Sequence, residues 1–534
     1  MSASVNGQES TATTYLGHRQ ILTVLGALML GMLLAALDQT IVSTALPTIV
    51  GDLGGLNHLS WVVTSYLLAS TISTPLYGKL GDLYGRKPLF QFAIVVFLIG
   101  SMLSGLSQNI GELIAFRAMQ GLGAGGLMVG AQAIIGDVVP PRERGRYQGM
   151  MGGIFALSSI AGPLLGGFLT DHASWRWIFY INVPLGAIAL VVTATALPAL
   201  ARRVSHRIDW LGAGLLAAGT SAFILLTTWG GTQYDWGSWQ IISLGVGGAV
   251  LIAAFFMVER RVEEPIIPPR LFRSSVFNVA SAVGFVIGFA MFGAIVFIPL
   301  FLQLVDGASA TSSGLNILPL MAGLLTASIA SGQLISRFGR YKVFPVVGTA
   351  LAALAMLLLS TLDPQTPRLV LSVYMVLLGA GLGMVMQVLV LAVQNSAEHR
   401  DLGVATSSTS FLRSIGSSFG VSIFGAIFSS QLATNLRLHL PASALGHINP
   451  NSLQGNPAAL AKLPPAIHLA LVTSVSNSLH VVFLTAVPIL IVAFVIALFL
   501  HEVPLGDRAH MPAVPAEGLG MDEAAESVLA GAES

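Results

Sequence analysis

The stretch GKLGDLYGRK, residues 78–87, is a charged segment between two apolar segments of helix length. Its glycines, among them Gly78 and Gly85, allow a sharp turn and a close approach of the backbone to a neighbour, because glycine has no Cβ. Its one carboxylate, Asp82, lies among basic residues such as Arg86. A short polar turn between long apolar runs predicts two membrane-spanning helices that are connected by a tight loop.

The composition of the whole chain indicates a membrane protein. The chain has 534 residues, of which 54% are hydrophobic and 9% are charged, whereas charged residues make up about 25% of a soluble protein. Cysteine is absent, which excludes disulfides, cysteine-ligated zinc and thiol catalysis. The net charge of +1 gives no reason to expect a nucleic-acid partner. We therefore expect an all-α polytopic protein that is embedded in the lipid bilayer.

Fourteen segments are apolar over the roughly 20 residues that a membrane-spanning helix needs. They lie near residues 21–49, 59–78, 88–107, 110–136, 146–170, 177–197, 210–229, 239–258, 275–303, 312–336, 342–361, 368–395, 402–431 and 474–500. Lysine and arginine accumulate in cytoplasmic loops, and most of the 25 basic residues lie on one side of the membrane if the N-terminus is inside. The sequence therefore predicts an even number of spans in the cell membrane, with both termini in the cytoplasm.

The sequence also contains a weak internal repeat. GKLGDLYGRK is similar to GQLISRFGRYK, residues 332–342, and LGAGGLM, residues 122–128, is similar to LGAGLGM, residues 378–384. The nearly constant offset predicts two homologous six-helix halves, as in transporters whose substrate site lies near the membrane midplane between the halves. We divide the chain into a cytoplasmic segment (1–19), a first half (20–200) and an inserted pair of helices (201–260). A second half (261–503) with an outer loop (432–473) and a disordered cytoplasmic tail (504–534) follow.

Three ionisable residues lie inside predicted spans, where charge costs several kcal/mol unless it is paired or hydrated. Asp38 in the first span and Arg117 in the fourth lie at similar depth, in the outer half of the membrane. Asp38 could exchange a proton, with Arg117 adjusting its proton affinity, or the two could form a static ion pair that fixes helix packing. Arg413 lies mid-helix among small residues, where it could face a cavity or cap carbonyls at a helix break.

The segment GMMGGIFALSSIAGPLLGGFL, residues 149–169, contains more glycine than helix packing alone requires. Pro163 removes one helix hydrogen bond, which neighbouring helices can replace. Gly162, Gly166 and Gly167 allow two helices to approach closely around it. The segment is either a local packing motif or a hinge or seal between the halves.

No group of residues indicates catalysis. Nucleophile–base motifs and metal-ligand spacing are absent from the sequence. GLGAGG, residues 121–126, matches a dinucleotide-binding pattern, but it lies in an apolar helix with no strand before it, which argues against nucleotide binding. Without a P-loop, any pumping must draw on an ion gradient. We expect no enzymatic activity, no cofactor and no metal.

Several of these stretches resemble motifs of the major facilitator superfamily. GKLGDLYGRK resembles the signature loop after the second helix, and LIAFRAMQGLGAG, residues 113–125, resembles the fourth-helix arginine motif. Residues 149–167 resemble the fifth-helix motif of antiporters, with Ser158 in place of a glycine; the matching positions are Gly149, Gly162, Pro163, Gly166 and Gly167. LDQTIVSTALPTI, residues 37–49, and WRWIFYINVPLG, residues 175–186, resemble the drug:proton antiporter subfamily with fourteen helices.

The resemblance implies the major facilitator fold, with two six-helix halves plus two inserted helices, and a proton-driven exporter of lipophilic or cationic drugs that works by alternating access. It assigns proton coupling to Asp38 and Arg117. The residues that it assigns to gating are Gly78, Asp82, Gly85 and Arg86. Gln120 and Arg413 are candidate cavity residues. The small-molecule substrate could also be a specific metabolite, siderophore or lipid, exported or imported, and no feature specifies a protein partner.

Asp82 has a further predicted contact. It could pair with Arg86, and it could also face the positive N-terminal end of the thirteenth span, which begins near Leu402. The second copy of the loop keeps a glycine at Gly339 but has Ser336 in the position of Asp82. The sequence therefore predicts a latch, on one half only, that holds the cytoplasmic side closed.

Overall fold

The computed structural model describes residues 18–53, 59–197, 209–231, 233–306, 312, 315–439 and 464–505. These residues form α-helices and two short 3-10 helices, and no β-strand occurs among them. The first group of helices is α1 (His18–Leu53), α2 (Leu59–Tyr84), α3 (Arg86–Leu106), α4 (Ile110–Val138), α5 (Pro141–His172), α6 (Trp177–Tyr180) and α7 (Asn182–Ala196). The inserted pair is α8 (Trp210–Trp229) and α9 (Trp239–Glu259). The remaining helices are α10 (Ser275–Leu304), α11 (Leu318–Phe338), α12 (Val343–Leu359), α13 (Arg368–Ser396), α14 (Leu402–His439) and α15 (Pro465–Leu498), with 3-10 helices at Pro269–Arg273 and His399–Asp401.

Twelve helices in the described part of the chain are long and apolar enough to cross a membrane, when α6 and α7 are counted together. Two more helices occupy predicted spans. The helix α12 is apolar but has 17 residues, and α2 has 26 residues, seven of which are serine or threonine. The all-helical membrane fold is confirmed, whereas the total of fourteen spans depends on these two helices and stays a prediction.

Some predicted boundaries are wrong. The span predicted at 312–336 corresponds to α11, which begins at Leu318. The last span, predicted at 474–500, corresponds to α15, which begins at Pro465, and α14 continues to His439, so the outer loop predicted at 432–473 is too long at both ends. Proline at the first helical position loses no hydrogen bond, because the N–H there has no partner within a helix. The two prolines at 464 and 465 therefore mark a helix start rather than a loop. Residues 440–463, 1–17 and 506–534 lie outside the described residues.

Buried apolar side chains gather separately in two groups of helices. In α1–α7 they form two clusters, which contain for example Phe97 and Ile178. The largest cluster comes almost entirely from α10–α15, and in it the rings of Phe297 and Phe428 lie 5.5 Å apart. This grouping agrees with the predicted halves at 20–200 and 261–503, and that division stays a prediction.

The repeated glycine segments have the same packing role in both groups of helices. A Cβ on Gly121 of α4 would lie 2.3 Å from the Tyr66 carbonyl oxygen of α2, and a Cβ on Gly379 of α13 would lie 2.0 Å from the carbonyl oxygen of Leu320 in α11. Two residues further on, the glycine of α4 lies against α3 and that of α13 lies against α12. The matching letters align Gly123 with Gly379, whereas the packing gives Gly121 the position of Gly379. The structural alignment of α4 and α13 is therefore shifted by two residues.

The inserted helices α8 and α9 pack on each other, and α8 also contacts α2 and α14. The ring of Phe223 in α8 lies 6.1 Å from the ring of Phe419 in α14. The segment after α9 is joined to α2 by an ion pair of 2.5 Å between Lys79 Nζ and Glu264 Oε2. The inserted pair therefore touches both groups of helices.

Candidate functional site

The carboxylate of Asp38 lies at the centre of a buried polar network between α1, α4 and α7. Its side chain is fully buried, and it forms an ion pair with Arg117, which is also buried. The amide of Gln120 donates to Asp38 Oδ1 at 2.8 Å, and the amide of Asn182 donates to the same oxygen at 3.1 Å. The structure thus brings together the two residues that the sequence predicts for proton coupling, in contact with two neutral donors.

Arg117 has partners on all sides. Its guanidinium lies 4.2 Å from the centroid of the Tyr66 ring, a favourable cation–π distance. It also donates to Gln120 Oε1 at 2.7 Å. The Tyr66 hydroxyl in turn donates to the carbonyl oxygen of Ala35 at 3.1 Å, which ties α2 to α1. A buried ion pair is tolerated when its remaining donors and acceptors are satisfied, and this surrounding network meets that condition.

Gln120 occupies a different place from the one that the sequence predicts. It was a candidate cavity residue, but its side chain is fully buried, with the amide nitrogen bonded to Asp38 and the amide oxygen bonded to Arg117. In this arrangement Gln120 positions the ion pair and does not line an open space.

Asn182 is a member of the site that sequence reasoning missed. Besides Asp38, its amide nitrogen donates to Ser101 Oγ at 3.0 Å, and Asn182 Oδ1 is buried without a hydrogen-bond partner among the described residues. This oxygen is therefore available as an acceptor beside the Asp38 carboxylate. The available signal was an amide inside an apolar span, within WRWIFYINVPLG.

The segment WRWIFYINVPLG also contacts α1 near the C-terminal end of that helix. Trp175 Nε1 donates to Asp52 Oδ2 at 2.7 Å, and Arg176 lies 3.3 Å from the same oxygen. The hydrogen bonds from Trp175 and then Arg176 lower the pKa of Asp52. WRWIFYINVPLG therefore connects α1 to α7 through two carboxylates, one near the end of the helix and one deep inside.

The loop at residues 78–87 contains the predicted latch contact. Asp82 accepts hydrogen bonds from the backbone amides of Gly403 at 3.1 Å and Val404 at 2.8 Å, in the first turn of α14. It also pairs with Arg86, which reaches Asp137 Oδ2 of α4 at 2.9 Å. The contact between Asp82 and the start of the thirteenth span is therefore present. We call the end of the helix bundle that contains this loop the gating end.

Glycines in the loop make the contact close. Gly85 has a φ of 97°, a left-handed conformation that favours glycine, and it separates α2 from α3. A Cβ on Gly78 would lie 2.1 Å from Ser407 Oγ of α14. The second copy keeps the turn, since Gly339 has a φ of 72°. Its Ser336 hydroxyl bonds within its own helix, to the carbonyl of residue 332 at 3.0 Å.

The antiporter-type glycines divide between two partners. Gly149 of α5 faces α11, where a Cβ would lie 2.6 Å from the Ser328 carbonyl oxygen. Gly162 and Gly166 instead pack against α1, and a Cβ on Gly162 would lie 2.5 Å from Thr40 Cβ. A Cβ on Gly167 would meet nothing within 4 Å. One end of the motif therefore seals α5 against α11 and the other packs within the first group of helices.

The Pro163 turn of α5 is linked to the helix of Asp38. Thr40, two residues after Asp38, donates to the carbonyl oxygen of Ser158 at 2.9 Å, one turn before Pro163. The Ser158 hydroxyl, which replaces the glycine of the motif, bonds within α5 to the carbonyl of Ile154 at 2.8 Å. The serine therefore fits without disturbing the α1–α5 contact.

A layer of neutral amides closes the gating end, and the sequence did not single it out. Gln148 of α5 donates to Gln394 Oε1 of α13 at 2.8 Å, and Gln394 donates to the carbonyl oxygen of Gln132 in α4 at 2.9 Å. Thr406 and Ser410 of α14 complete the layer, which is buried throughout. We call these five residues the amide layer. Hydrogen bonds between these uncharged side chains join the two groups of helices.

Arg413 lies apart from these contacts. Its side chain is partly exposed, and no described residue forms a hydrogen bond or ion pair with its guanidinium. The nearest glycine, Gly288 of α10, lies against the Arg413 backbone and Cγ. Of the two sequence alternatives, the one in which this guanidinium caps carbonyls has no support among the described contacts.

A bundle of membrane-spanning helices around a buried ion pair is typical of a membrane transporter. Residues 28–421 match the Major Facilitator Superfamily, and the chain belongs to it. The protein is accordingly a carrier and not an enzyme.

Known relatives agree with this assignment. The chain is 50% identical over 481 residues to an uncharacterised transporter of the superfamily from Mycobacterium tuberculosis, and the match covers 90% of this chain and 69% of the relative. It is 38% identical over 531 residues to the multidrug transporter protein MdtP of Bacillus subtilis, covering 95% and 96%. Among solved structures, the proton:xylose symporter XylE is similar with a TM-score of 0.57 at 15% identity, covering 89% of this chain and 95% of XylE. That last likeness concerns the fold alone.

Proposed function

We propose that the protein is a proton-coupled exporter of lipophilic drugs or related small molecules, of the fourteen-helix drug:proton antiporter type. It lies in the cell membrane with both termini in the cytoplasm and works by alternating access, driven by the proton gradient without a cofactor. The observation that carries this proposal is the fully buried Asp38, which is bonded to Arg117, Gln120 and Asn182. The names of relatives such as MdtP support the drug as substrate.

The contacts of Asp38 suggest how a proton is handled. With Asp38 ionised, Arg117 balances its charge and the two amides donate to it. When Asp38 takes up a proton, Arg117 keeps a buried charge without a counter-charge, which is unfavourable unless the helices move or water enters. After a rotation of the amide, the free Oδ1 of Asn182 can accept a hydrogen bond from the protonated Asp38 carboxyl. Protonation thereby favours a different arrangement of α1, α4 and α7.

The gating end is closed in the arrangement that the structure describes. The Asp82 latch, the α5–α11 glycine contact and the amide layer all join the two groups of helices there. If the charge pattern gives the correct orientation, this end is cytoplasmic and the proton site is reached from outside. Proton entry, opening of the gating end and binding of the drug from the cytoplasm would then follow in sequence.

The test uses purified protein in liposomes with an imposed pH gradient and a panel of anionic, neutral and cationic lipophilic dyes. We expect the Asp38→Asn variant to lose gradient-driven export, because it cannot carry a proton, while dye exchange without a gradient persists. Glu112→Gln is the matched control, since Glu112 is partly exposed and its carboxylate accepts from the Gln108 backbone amide before the start of α4. Undiminished gradient-driven export by Asp38→Asn contradicts the proposal. Uptake into cells, in place of export, supports an importer.

A further inference from the structure

Arg413 lies on a polar face of α14 that points to the junction of the two groups of helices. Thr406, Ser410, Arg413 and Ser417 are spaced by four, three and four residues, which places them on one side of a helix. Thr406 accepts from Gln394 of α13 at 3.2 Å, and Ser410 donates to Gln132 of α4 at 3.3 Å. Arg413 follows one turn later, on the side of the amide layer that faces away from the gating end.

The backbone and stem of Arg413 pack against a glycine of α10. A Cβ on Gly288 of α10 would lie 2.3 Å from the Arg413 carbonyl oxygen and 3.1 Å from its Cγ. The glycine therefore admits the backbone and the aliphatic stem of Arg413. The residue as a whole is partly exposed, and its Cα lies one turn beyond Ser410 of the amide layer.

The Arg413 guanidinium has no counter-charge among the described residues. No ion pair or hydrogen bond to it is present, and Ser417 of the same face bonds to the Arg413 backbone rather than to its side chain. Asp38, the one carboxylate deep in a predicted span, is already neutralised by Arg117. The interior between the helices therefore has a net positive charge at Arg413, and an unpaired charge at this depth is costly unless water or a ligand compensates for it.

We propose that Arg413 binds the anionic group of an amphiphilic substrate, so that the protein prefers organic anions such as lipophilic carboxylates. This inference rests on the proposed function and replaces the cationic drugs that the motif resemblance implies. A guanidinium binds a carboxylate with two parallel hydrogen bonds, whereas a cation in the same space is repelled across a low dielectric. The apolar part of the substrate then lies against the helices on either side.

The test measures binding to the purified full-length protein at equilibrium, without a gradient. The probes are dansylaminoundecanoate, its methyl ester, and ethidium, so that the first two differ only in the anionic group. We expect wild-type protein to bind the carboxylate at least tenfold more tightly than the ester. Arg413→Gln should lose that preference while its affinity for the ester is unchanged, and Arg413→Lys should keep part of it. Arg437→Gln, an exposed arginine on the same helix, serves as the control.

Three results overturn the inference: equal or weaker binding of the carboxylate by wild-type protein, an unchanged preference in Arg413→Gln, or an equal loss of all three probes in Arg413→Gln. The wild-type comparison of carboxylate and ester decides the matter even if a variant does not fold. Failure of the proposed function is a separate outcome, since it consists of absent gradient-driven export in liposomes while the binding preference is intact.

Discussion

Asp82 of α2 accepts a hydrogen bond of 2.8 Å from the backbone amide of Val404, in the first turn of α14. The first turn of a helix carries a partial positive charge that favours an anion. Hydrogen bonds to a charged group contribute about 1.5–3 kcal/mol each. Because α2 and α14 belong to different groups of helices, this bond stabilises the closed arrangement of the gating end.

We expect Asp82→Asn to weaken that closed arrangement about tenfold, because the amide keeps the size of the side chain but loses its charge. The chain contains no cysteine, so a single Ser331→Cys can report on opening; Ser331 is buried beside Gly145 of α5. The rate of maleimide labelling should rise in Asp82→Asn. Asp363→Asn, which changes an exposed carboxylate, is the control. Equal labelling rates in the two variants would show that the latch has no role in closure.

The α5–α11 contact predicts a sharp difference between two glycines of one motif. Gly149→Ala places a methyl group 2.6 Å from the Ser328 carbonyl oxygen, which forces the helices apart, whereas Gly167→Ala has open space. We expect Gly149→Ala to lose most export and to expose Ser331→Cys, and Gly167→Ala to behave as wild type in both assays. Comparable export by the two variants at matched expression would contradict a seal at Gly149.

The buried ion pair predicts a compensating double variant. Removal of one partner of a buried pair costs about 3–5 kcal/mol, because the other charge is left alone. Arg117→Gln should therefore lower the thermal stability of the detergent-solubilised protein strongly, and Asp38→Asn combined with Arg117→Gln should recover most of the loss. The measurement is size-exclusion chromatography with fluorescence detection after heating. Arg368→Gln, whose side chain is 70% exposed, is the control.

A double variant as unstable as Arg117→Gln would mean that the network depends on Arg117 for packing rather than for charge. Its stem and its contact with the Tyr66 ring would then be the important features.

The amide layer predicts a contrast between two glutamines of α13. Gln394→Leu removes bonds to Gln148, Thr406 and the Gln132 backbone, and each buried group left without a partner costs about 1–3 kcal/mol. Gln387 is also buried, but its Oε1 has no partner among the described residues. We expect Gln394→Leu to raise hydrogen exchange of the backbone amides at 402–410 at least tenfold, and Gln387→Leu to leave it unchanged. Equal exchange rates in both variants would show that the amide layer does not stabilise the closed gating end.

The sequence predicted contacts correctly for residues whose burial without a partner has a high free-energy cost. A carboxylate or guanidinium inside an apolar span must be paired, so Asp38 and Arg117 could be assigned to one another before any contact was visible. The Asp82 contact could be predicted for a similar reason, since a carboxylate in a basic loop requires a compensating positive group and a helix start provides one.

Neutral polar residues give no comparable signal. Asn182 and Gln394 are decisive in the network and in the amide layer, yet an amide in a span can be satisfied in many ways, and only the neighbouring helices determine which. Glycine repeats fail for another reason. A pattern with glycine at every second position matches itself after a shift of two residues, so the letters around Gly121 and Gly379 do not fix their own register.

The inserted helices touch two bodies that must move relative to each other if the halves alternate as proposed. The segment that follows the inserted helices has a directional bond to the first body, the 2.5 Å ion pair of Lys79 and Glu264. The inserted helices themselves contact both bodies through aromatic rings: the Trp229 ring lies 5.7 Å from the Trp61 ring of α2, and the Phe223 ring lies 6.1 Å from the Phe419 ring of α14. A charged bond breaks at a definite cost, whereas aromatic faces exchange one contact for another with little change in energy. The segment after α9 should therefore stay with the first half until the Lys79–Glu264 pair breaks, whereas the two inserted helices can slide across either half.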